Sequence, residues 1–519
     1  MLQITKDLID HFKKKAKELN WIIMILVIVL SYGFLLTNQS IGTDDENFDF
    51  YFKNNGIVAS GRWGSWLLGT FLDTYSYLPV WRDMIAIVVL IVAVIIFLCI
   101  CENVRNEKLD AIGSVIVCSV IITYPIIAKM FIYIDNSLET SLCIMFATLA
   151  AYSLMAAKNV PKRSGYMAML VFLILGCSLI ENTLIYFCIE ICFFSLLQAD
   201  KDNFFWDIVI PVCACVAAMA AVKFLGHVIA DALGIIYSDY GMGSYYKWDT
   251  IKSMGDLREA FTLTISNFNY WFTKYFSVKL FAISGFFWIV TAVYSCFKKH
   301  ILKAVYAIGI IFASFAMYFI TACGNLPLRI FTSYFISVAG AIIYIYWIID
   351  HLGKEQYKKV IKAAFVFACA FCIFYQTKES NEYYQLDYKR FLRDQDVAKT
   401  VNYDLEKMVG ITPDLPVLFL GQPEQYGDME IEGEVALATI YSNNQDGESI
   451  RIHRFFSMLG YEYPDVIDGE ITIFNMEERK NSHLITDAKV LAAEMPCYPY
   501  DGYIRVLDDK IIIKLGNIE

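Results

Sequence analysis

WIIMILVIVLSYGFLLT, residues 21–37, is an apolar run that contains no charged side chain. A bilayer is crossed by about 20 consecutive apolar residues when they form an α-helix. The run is continuous and does not alternate between apolar and polar residues, which favours a helix over a strand of a membrane barrel. This stretch therefore predicts a membrane-spanning helix near the N-terminus, and similar runs follow it along the chain.

The composition agrees with a protein that crosses the membrane several times. Hydrophobic residues make up 57% of the 519 residues and charged residues 18%, and the mean hydropathy is +0.48. Soluble domains contain about 25% charged residues. We predict a polytopic α-helical membrane protein with about 11 transmembrane helices. The predicted spans are 21–37, 83–101, 111–129, 140–157, 165–180, 183–198, 207–226, 279–296, 304–321, 330–350 and 358–376.

Positive charges decide which segments face the cytoplasm. With eleven spans and a cytoplasmic N-terminus, the inner segments hold 18 Lys and Arg, and the longer outer segments before residue 377 hold 11. Inner loops of membrane proteins carry such an excess. Only Ile180, Glu181 and Asn182 separate the fifth and sixth spans, and one kinked element there would reverse the sidedness of everything that follows. The chain is predicted to be a multi-pass protein of the plasma membrane.

Three regions are predicted from the distribution of apolar and charged residues. They are a cytoplasmic amphipathic N-terminus over residues 1–20, a transmembrane domain over 21–376 with outer loops at 38–82 and 227–278, and an extracytoplasmic domain over 377–519. This last region holds 27 Asp and Glu against 14 Lys and Arg. Because nucleic-acid binding needs a basic surface, nucleic acid is not an expected partner.

The acidic C-terminal region carries signals of both helix and strand. A helix is predicted over 388–409, and a buried strand over 416–421 ends at a glycine. Two β-rich runs around Asp508 and Asp509 predict a hairpin over 503–515. The region is therefore expected to form a small α/β domain.

The stretch IGTDDENFDFYFKNNGIVASGRWGSW, residues 41–66, is called the acidic loop here. It follows the first span directly and places Asp44, Asp45, Glu46 and Asp49 beside the membrane surface. Paired carboxylates suit general-base catalysis or binding of a divalent cation. The alternative is a solvated helix N-terminus, where acidic residues interact favourably with the helix dipole.

Other polar residues lie at the predicted outer ends of spans. Arg62 and Trp63 in the acidic loop suit a phosphate and a sugar face, because an Arg fork binds oxyanions and an indole ring stacks. The alternative for this pair is an interfacial aromatic residue beside a snorkelling Arg. Ionisable residues this near the hydrocarbon are functional candidates, although ordinary polar loops and helix anchors fit as well. The further candidates are Lys129, Asp135, Glu181 and Arg329. Glu139 is predicted at the same outer surface as Lys129 and lies four residues after Asp135, on one helix face.

Several common catalytic signatures are missing from the sequence. The chain has no phosphate-binding P-loop, no dinucleotide-binding glycine motif, no HExxH motif and no Ser-His-Asp arrangement. It contains only six His, and no predicted cytoplasmic segment is large enough to be a catalytic domain. Any chemistry is therefore expected on the outer face.

The order of these elements resembles the polytopic GT-C glycosyltransferases. More narrowly, it resembles the glucosyltransferase family that includes phage-borne O-antigen serotype-converting enzymes. The similar pieces are Asp44-Asp45, the Gly61-Arg62 element and the outer loop from Pro125 to Asp135-Asn136-Ser137, and the resemblance covers roughly residues 20–376. The end of the chain, residues 495–515, is also similar.

The resemblance implies a polyprenyl-phosphate-linked sugar donor, with glucose as the usual sugar, and a cell-surface glycan acceptor. It places an acidic residue of the first outer loop near the acceptor, which corresponds to Asp44 or Asp45, although Glu46 and Asp49 leave the choice of base open. A divalent cation, Mg²⁺ or Mn²⁺, would bind the same Asp pair, whereas a base alone needs none. The residues expected to bind substrate are Glu46, Asp49, Arg62, Trp63, Lys129, Asp135, Glu181 and Arg329.

The chemistry of the outer face is consistent with this implication. Nucleotide sugars are absent there, so a sugar must arrive on a lipid, and the departing phosphate needs cations such as Arg62, Lys129 and Arg329. Two other functions stay open, a transporter or flippase of a polyprenyl-linked glycan and a non-catalytic scaffold for surface assembly. A transporter needs charges deep within its spans. Here the charges lie at the outer ends, which favours an enzyme.

Overall fold

A computed structural model describes most of the chain and shows that it is built mainly from helices. The described residues are 2–42, 45, 55–72, 79–159, 163–198, 203–237, 246–322, 326–353, 355–410, 413–423, 439–441, 450–464 and 483–518.

The α-helices of the described residues are numbered along the chain. They are α1 Leu2–Glu18, α2 Trp21–Thr37, α3 Gly56–Ala59, α4 Trp63–Leu72, α5 Pro79–Arg105, α6 Ala111–Ile122, α7 Pro125–Met130, α8 Ile134–Asn159, α9 Arg163–Cys177, α10 Thr183–Leu197, α11 Ile210–Leu233, α12 Met254–Lys274, α13 Phe276–Phe297, α14 Ile301–Ser314, α15 Ala316–Thr321, α16 Tyr334–Asp350, α17 Glu355–Val409, α18 Arg451–Met458 and α19 His483–Ala492. A π-helical turn, Phe205–Val209, precedes α11, and a 3-10 turn, Leu328–Phe331, precedes α16.

A helix lies at each of the eleven predicted spans, and the protein is a helical membrane protein. Among the described residues, six helical segments are long and apolar enough to cross a bilayer, or seven if α1 and α2, bent by 83°, count as one. The six are Pro79–Arg105, Asn136–Lys158, Phe205–Leu233, Phe276–Phe297, Leu328–Asp350 and Glu355–Val409. Helices α6, α9, α10 and α14 are apolar but shorter. The number of eleven crossings therefore stays a prediction.

The fifth and sixth predicted spans form two separate helices, α9 and α10. Residues 178–182 separate the two helices. Gly176 permits a close approach there, because a Cβ at its position would lie 2.4 Å from Thr183 Cγ2. Two crossings, as opposed to one kinked element, stay a prediction.

The core of the bundle is formed by close packing of α5, α8 and α9. Helix α8 packs along α5 on one side and along α9 on the other. Ala147, Ala150 and Ala151 on α8 are completely buried. Small side chains of this kind let helix backbones approach each other within a membrane.

The longest element is α17, which continues from the apolar run into the acidic C-terminal region without a break. Its 55 residues include no Gly or Pro and span about 80 Å at the rise of an α-helix. The predicted span 358–376 and the predicted helix 388–409 are both parts of it, and the predicted region boundary at residue 377 lies within it. The division of the chain into three regions stays a prediction.

A small sheet forms beyond α17 in the C-terminal region. Its three strands are β1 Val417–Leu420, β2 Ile504–Val506 and β3 Ile511–Lys514, in the order β1-β3-β2. Strand β1 pairs in parallel with β3, with Val417 opposite Ile511, and β2 pairs antiparallel with β3 as a hairpin. These strands lie where the sequence predicted a buried strand and a hairpin. We call residues 391–518, as far as they are described, the C-terminal unit.

Candidate functional site

The short helix α7 and the turn that follows it, residues 131–133, are the centre of the candidate site. Pro125 occupies the first turn of α7, so the predicted span 111–129 is broken at Thr123 and Tyr124. Proline cannot continue a helix but is favoured at the start of one. All residues of α7 are buried, and both the 3-10 turn 328–331 and helix α17 pack on it.

Lys129 on α7 is a buried cation in an aromatic cage. Its Nζ lies 4.3 Å from the ring centre of Tyr275 and 4.1 Å from that of Tyr383, and only 3% of the residue is exposed. The carboxylate of Glu379 lies within electrostatic reach. Glu379 is itself held by Ser277, whose backbone N and Oγ donate to its two oxygens at 2.9 and 2.7 Å. Lys129 is thus a fixed positive charge in a region of low dielectric.

Arg329 supplies a second cation beside the same turn. Its Nη1 donates to Tyr133 Oη at 2.5 Å, and the guanidinium lies 5.1 Å from the centre of the Tyr133 ring. Arg329 is half-buried on the 3-10 turn that packs on α7. The structure therefore brings two predicted substrate-binding cations, Lys129 and Arg329, to one end of the helix bundle.

Asp45 lies near this turn. Its Oδ2 accepts a hydrogen bond from Gly42 N at 2.8 Å, and the residue is 2% exposed. Gly42 packs closely on the turn, because a Cβ there would lie 3.2 Å from Ile132 O. Asp44, Glu46 and Asp49 fall outside the described residues, so their predicted roles and that of Asp45 stay predictions.

The other predicted residues divide into two groups. Glu181 lies in the turn between α9 and α10, next to Asn182, whose Nδ2 donates to Ile330 O at 3.1 Å. Glu181 is therefore near the 3-10 turn that carries Arg329. Asp135 lies in the first turn of α8, two residues after Tyr133.

Arg62 and Trp63 belong to a separate apolar cluster. Trp63 Nε1 donates to Val222 O at 3.2 Å, and the indole packs on Val58 and Ala230. Arg62 is half-buried immediately before α4. Gly64 N, next to this pair, donates to Ser178 O at 3.1 Å in the segment that precedes Glu181. The predicted role of Arg62 and Trp63 in substrate binding is untested.

A group of buried charges lies at the same end of the bundle. The sequence pointed to Glu139 beside Lys129 and Asp135, but not to Arg82 or Asp83. Arg82 and Glu139 form a buried ion pair between α5 and α8. Asp83 is also buried, lies close to Tyr32 and Tyr384, and its Oδ1 has no hydrogen-bond partner among the described residues. The sequence signal for this group was the adjacent pair Arg82-Asp83 near the start of the apolar helix α5.

A buried polar face on α17 was missed as well. Its members recur at helical spacing along one side of the helix. They are Gln376, Glu379, Ser380, Asp387, Arg390 and Asp394. Apart from the neighbours Glu379 and Ser380, their spacing of three, four or seven residues would have identified the face.

An apolar cavity of about 510 Å³ lies between α12, α13, α14 and α15. Its lining is mainly aliphatic and aromatic, and aromatic rings continue from it to the candidate site. Phe315 lies 6.3 Å from Tyr318, which stacks on Phe331 at 4.8 Å. Because Phe331 is two residues from Arg329, one end of the cavity lies close to the cations.

The described residues contain no group of three or more His, Cys, Asp or Glu side chains that could hold a metal ion. Asp44, which the sequence paired with Asp45 as a metal ligand, is not among them. The predicted Mg²⁺ or Mn²⁺ site is thus untested.

A protein-family model described as Glucosyl transferase GtrII matches residues 33–346. The matched range includes the acidic loop, α7 and Arg329, and it ends before α17 begins. No curated protein and no solved structure matches the chain.

Proposed function

We infer, because this chain belongs to the glucosyl transferase GtrII family, that its donor is a polyprenyl-phosphate-linked glucose and its acceptor a cell-surface glycan. The family membership makes the protein a membrane glycosyltransferase and confirms the resemblance predicted from the sequence. The proposal adds the lipid carrier, transfer at the outer face of the plasma membrane and a carboxylate of the acidic loop as the base.

The observation that carries the proposal is the pair of cations at one end of an apolar cavity. The volume of about 510 Å³ falls within the range of about 300–1,000 Å³ that is typical of small-molecule sites. An isoprenoid chain needs apolar walls, and its phosphate needs positive charge. The cavity between α12 and α14 would hold part of the chain, and Arg329 and Lys129 would hold the phosphate.

In the proposed reaction the glucosyl group passes directly from the phosphate oxygen to the acceptor oxygen. The bond between the anomeric carbon and the phosphate oxygen breaks through an oxocarbenium-like transition state. The acceptor oxygen bonds to the anomeric carbon, its proton passes to Asp45 or Asp44, and polyprenyl phosphate leaves. Negative charge grows on the phosphate as the bond breaks, so Lys129 and Arg329 stabilise the transition state more than the bound donor.

The proposal is tested by following radiolabelled glucose from its carrier. Membranes that contain the protein and its glycan acceptor receive either polyprenyl-phosphate glucose or a nucleotide-linked glucose. We expect label to move to the glycan from the lipid donor alone. If a different polyprenyl-phosphate sugar is consumed, the carrier is right and the sugar is wrong. If no polyprenyl-phosphate sugar is consumed by folded protein, the proposed donor is wrong, and movement of intact carrier across the membrane would indicate the transporter instead.

The cavity makes a separate prediction about the length of the carrier. Ile311→Trp places a larger side chain in the cavity, so we expect KM for a long-chain polyprenyl donor to rise about tenfold, equivalent to ~1.4 kcal/mol. KM for a donor with a short chain should stay unchanged, because such a chain leaves the cavity partly empty. Ile283→Trp, on an exposed part of α13 outside the cavity, is the control. Equal KM changes for both donors would show that the cavity does not bind the chain.

A further inference from the structure

Arg390 on α17 is a buried cation at the junction between the acidic loop and the C-terminal unit. Its Nη2 donates to Ile41 O at 2.6 Å and to Asp387 Oδ1 at 2.8 Å, and its Nη1 donates to Asp394 Oδ2 at 3.0 Å. The Nε is 3.3 Å from Asp387 Oδ1. Asp45 also lies within electrostatic reach. All three guanidinium nitrogens are therefore used, and one of their partners belongs to the acidic loop.

The start of the acidic loop is attached to α17 at consecutive residues. Ser40, just before the loop, donates through Oγ to Asp387 Oδ2. Ile41 accepts from Arg390 through its backbone O, and its side chain packs in an apolar cluster with Val401 of α17. Gly42 then donates to Asp45. The attachment thus ends at the carboxylate that we propose as the base.

The C-terminal unit holds the other side of this junction. Thr439 Oγ1 donates to Asp394 Oδ1 at 2.6 Å, and Ile440 N donates to Asp394 Oδ2 at 3.0 Å. Tyr441 Oη donates to Asp394 O at 3.0 Å. Contacts therefore run without interruption from residues 439–441 through Asp394 and Arg390 to the acidic loop.

A buried ion cluster such as this one is not by itself a stabilising feature. A buried ion cluster pays a large desolvation penalty, and apolar residues of similar volume often stabilise a protein equally well. A guanidinium can, however, fix several acceptors in one plane, which an apolar side chain cannot do. The cluster is therefore better explained by positioning of the loop.

We propose that the C-terminal unit acts as a clamp on the acidic loop, and that Arg390 is the residue that positions Asp45 for catalysis. The inference rests on the proposed function, because it takes Asp45 as the base. It goes beyond the family match, because the match ends at residue 346. The clamp residues on α17, and those that follow α17 in the chain, all lie after that point. Arg390 acts through Ile41 and Asp45, so it is a positioning residue and not a catalytic one.

The clamp is tested by a double-mutant cycle on kcat. We expect Arg390→Met to lower kcat about 30-fold in the otherwise unchanged protein, but less than about twofold in an Asp45→Asn background. The second loss is small because both changes remove the same function, the action of Asp45 as base. KM for the donor should stay within about twofold, and Arg390→Lys should recover part of kcat. Arg393→Met, an exposed Arg on the same helix, is the matched control. Equal losses in both backgrounds would show that Arg390 acts independently of Asp45 and would overturn the proposal.

A second measurement does not depend on catalysis. The amide of Gly42 donates to Asp45 Oδ2 at 2.8 Å, next to Ile41, whose backbone O accepts from Arg390. We expect this amide hydrogen to exchange about tenfold faster in Arg390→Met than in Arg393→Met, because the attachment has lost its restraint. Unchanged exchange would overturn the clamp even if transfer is impaired. If Asp45→Asn keeps full activity, the assignment of the base is wrong, whereas faster exchange would still support the clamp.

Discussion

Asp45→Asn is expected to lower kcat for glucosyl transfer about 10³-fold, within the range of about 10²–10⁴ that a general base contributes. An amide has the shape of the carboxylate but cannot accept the proton of the acceptor hydroxyl. It can still accept the hydrogen bond from Gly42 N, so the loop should keep its conformation. The measurement is single-turnover transfer of labelled glucose from the lipid donor at a saturating concentration of acceptor.

The matched control for this variant is Asp44→Asn, which changes the neighbouring acid. We expect a smaller loss there, because Asp45 is buried and its carboxylate is held by the backbone N of Gly42. A larger loss in Asp44→Asn would transfer the role of base to Asp44. Full activity in both variants would mean that neither residue is the base, and Asp83, with its unpartnered buried oxygen, would become the next candidate.

The sequence was sufficient to predict the class of fold because apolar runs must be helical in a bilayer. The boundaries of α2 and α10 agree with the predicted spans within a residue. The continuity of α17 was missed, since the apolar run ends at residue 376 and the helix is continued by polar residues buried against other parts of the protein. The absence of Gly and Pro over residues 355–409 was the available signal.

The candidate site could be predicted as single residues but not as an arrangement. Lys129 and Arg329 were identified because each charge ends an apolar run, which is a local property. The contact of Arg329 with Tyr133 joins residues that are 196 apart in the chain, and it depends on how the 3-10 turn packs on α7. Arg390 was missed for the same reason, because its partner Ile41 is 349 residues away in the chain.

Lys129→Met is expected to lower kcat about 10²–10³-fold, which corresponds to ~3–4 kcal/mol of lost transition-state stabilisation. The ammonium would be held in place by Tyr275 and Tyr383 before the reaction starts. A cation that is already fixed needs no reorganisation when charge develops on the leaving phosphate. The measurement is kcat with the lipid donor, together with the thermal stability of the purified protein.

A loss of activity in Lys129→Met has a competing structural explanation, because the change leaves Glu379 buried without the nearby cation. An uncompensated buried charge destabilises a protein by about 3–5 kcal/mol. The double variant Lys129→Met with Glu379→Gln removes both charges and keeps a side chain that can accept from Ser277. We expect this variant to regain thermal stability and to remain inactive. Recovery of activity along with stability would show that Lys129 serves only to compensate the charge of Glu379. Of the two cations, Arg329 alone would then bind the phosphate.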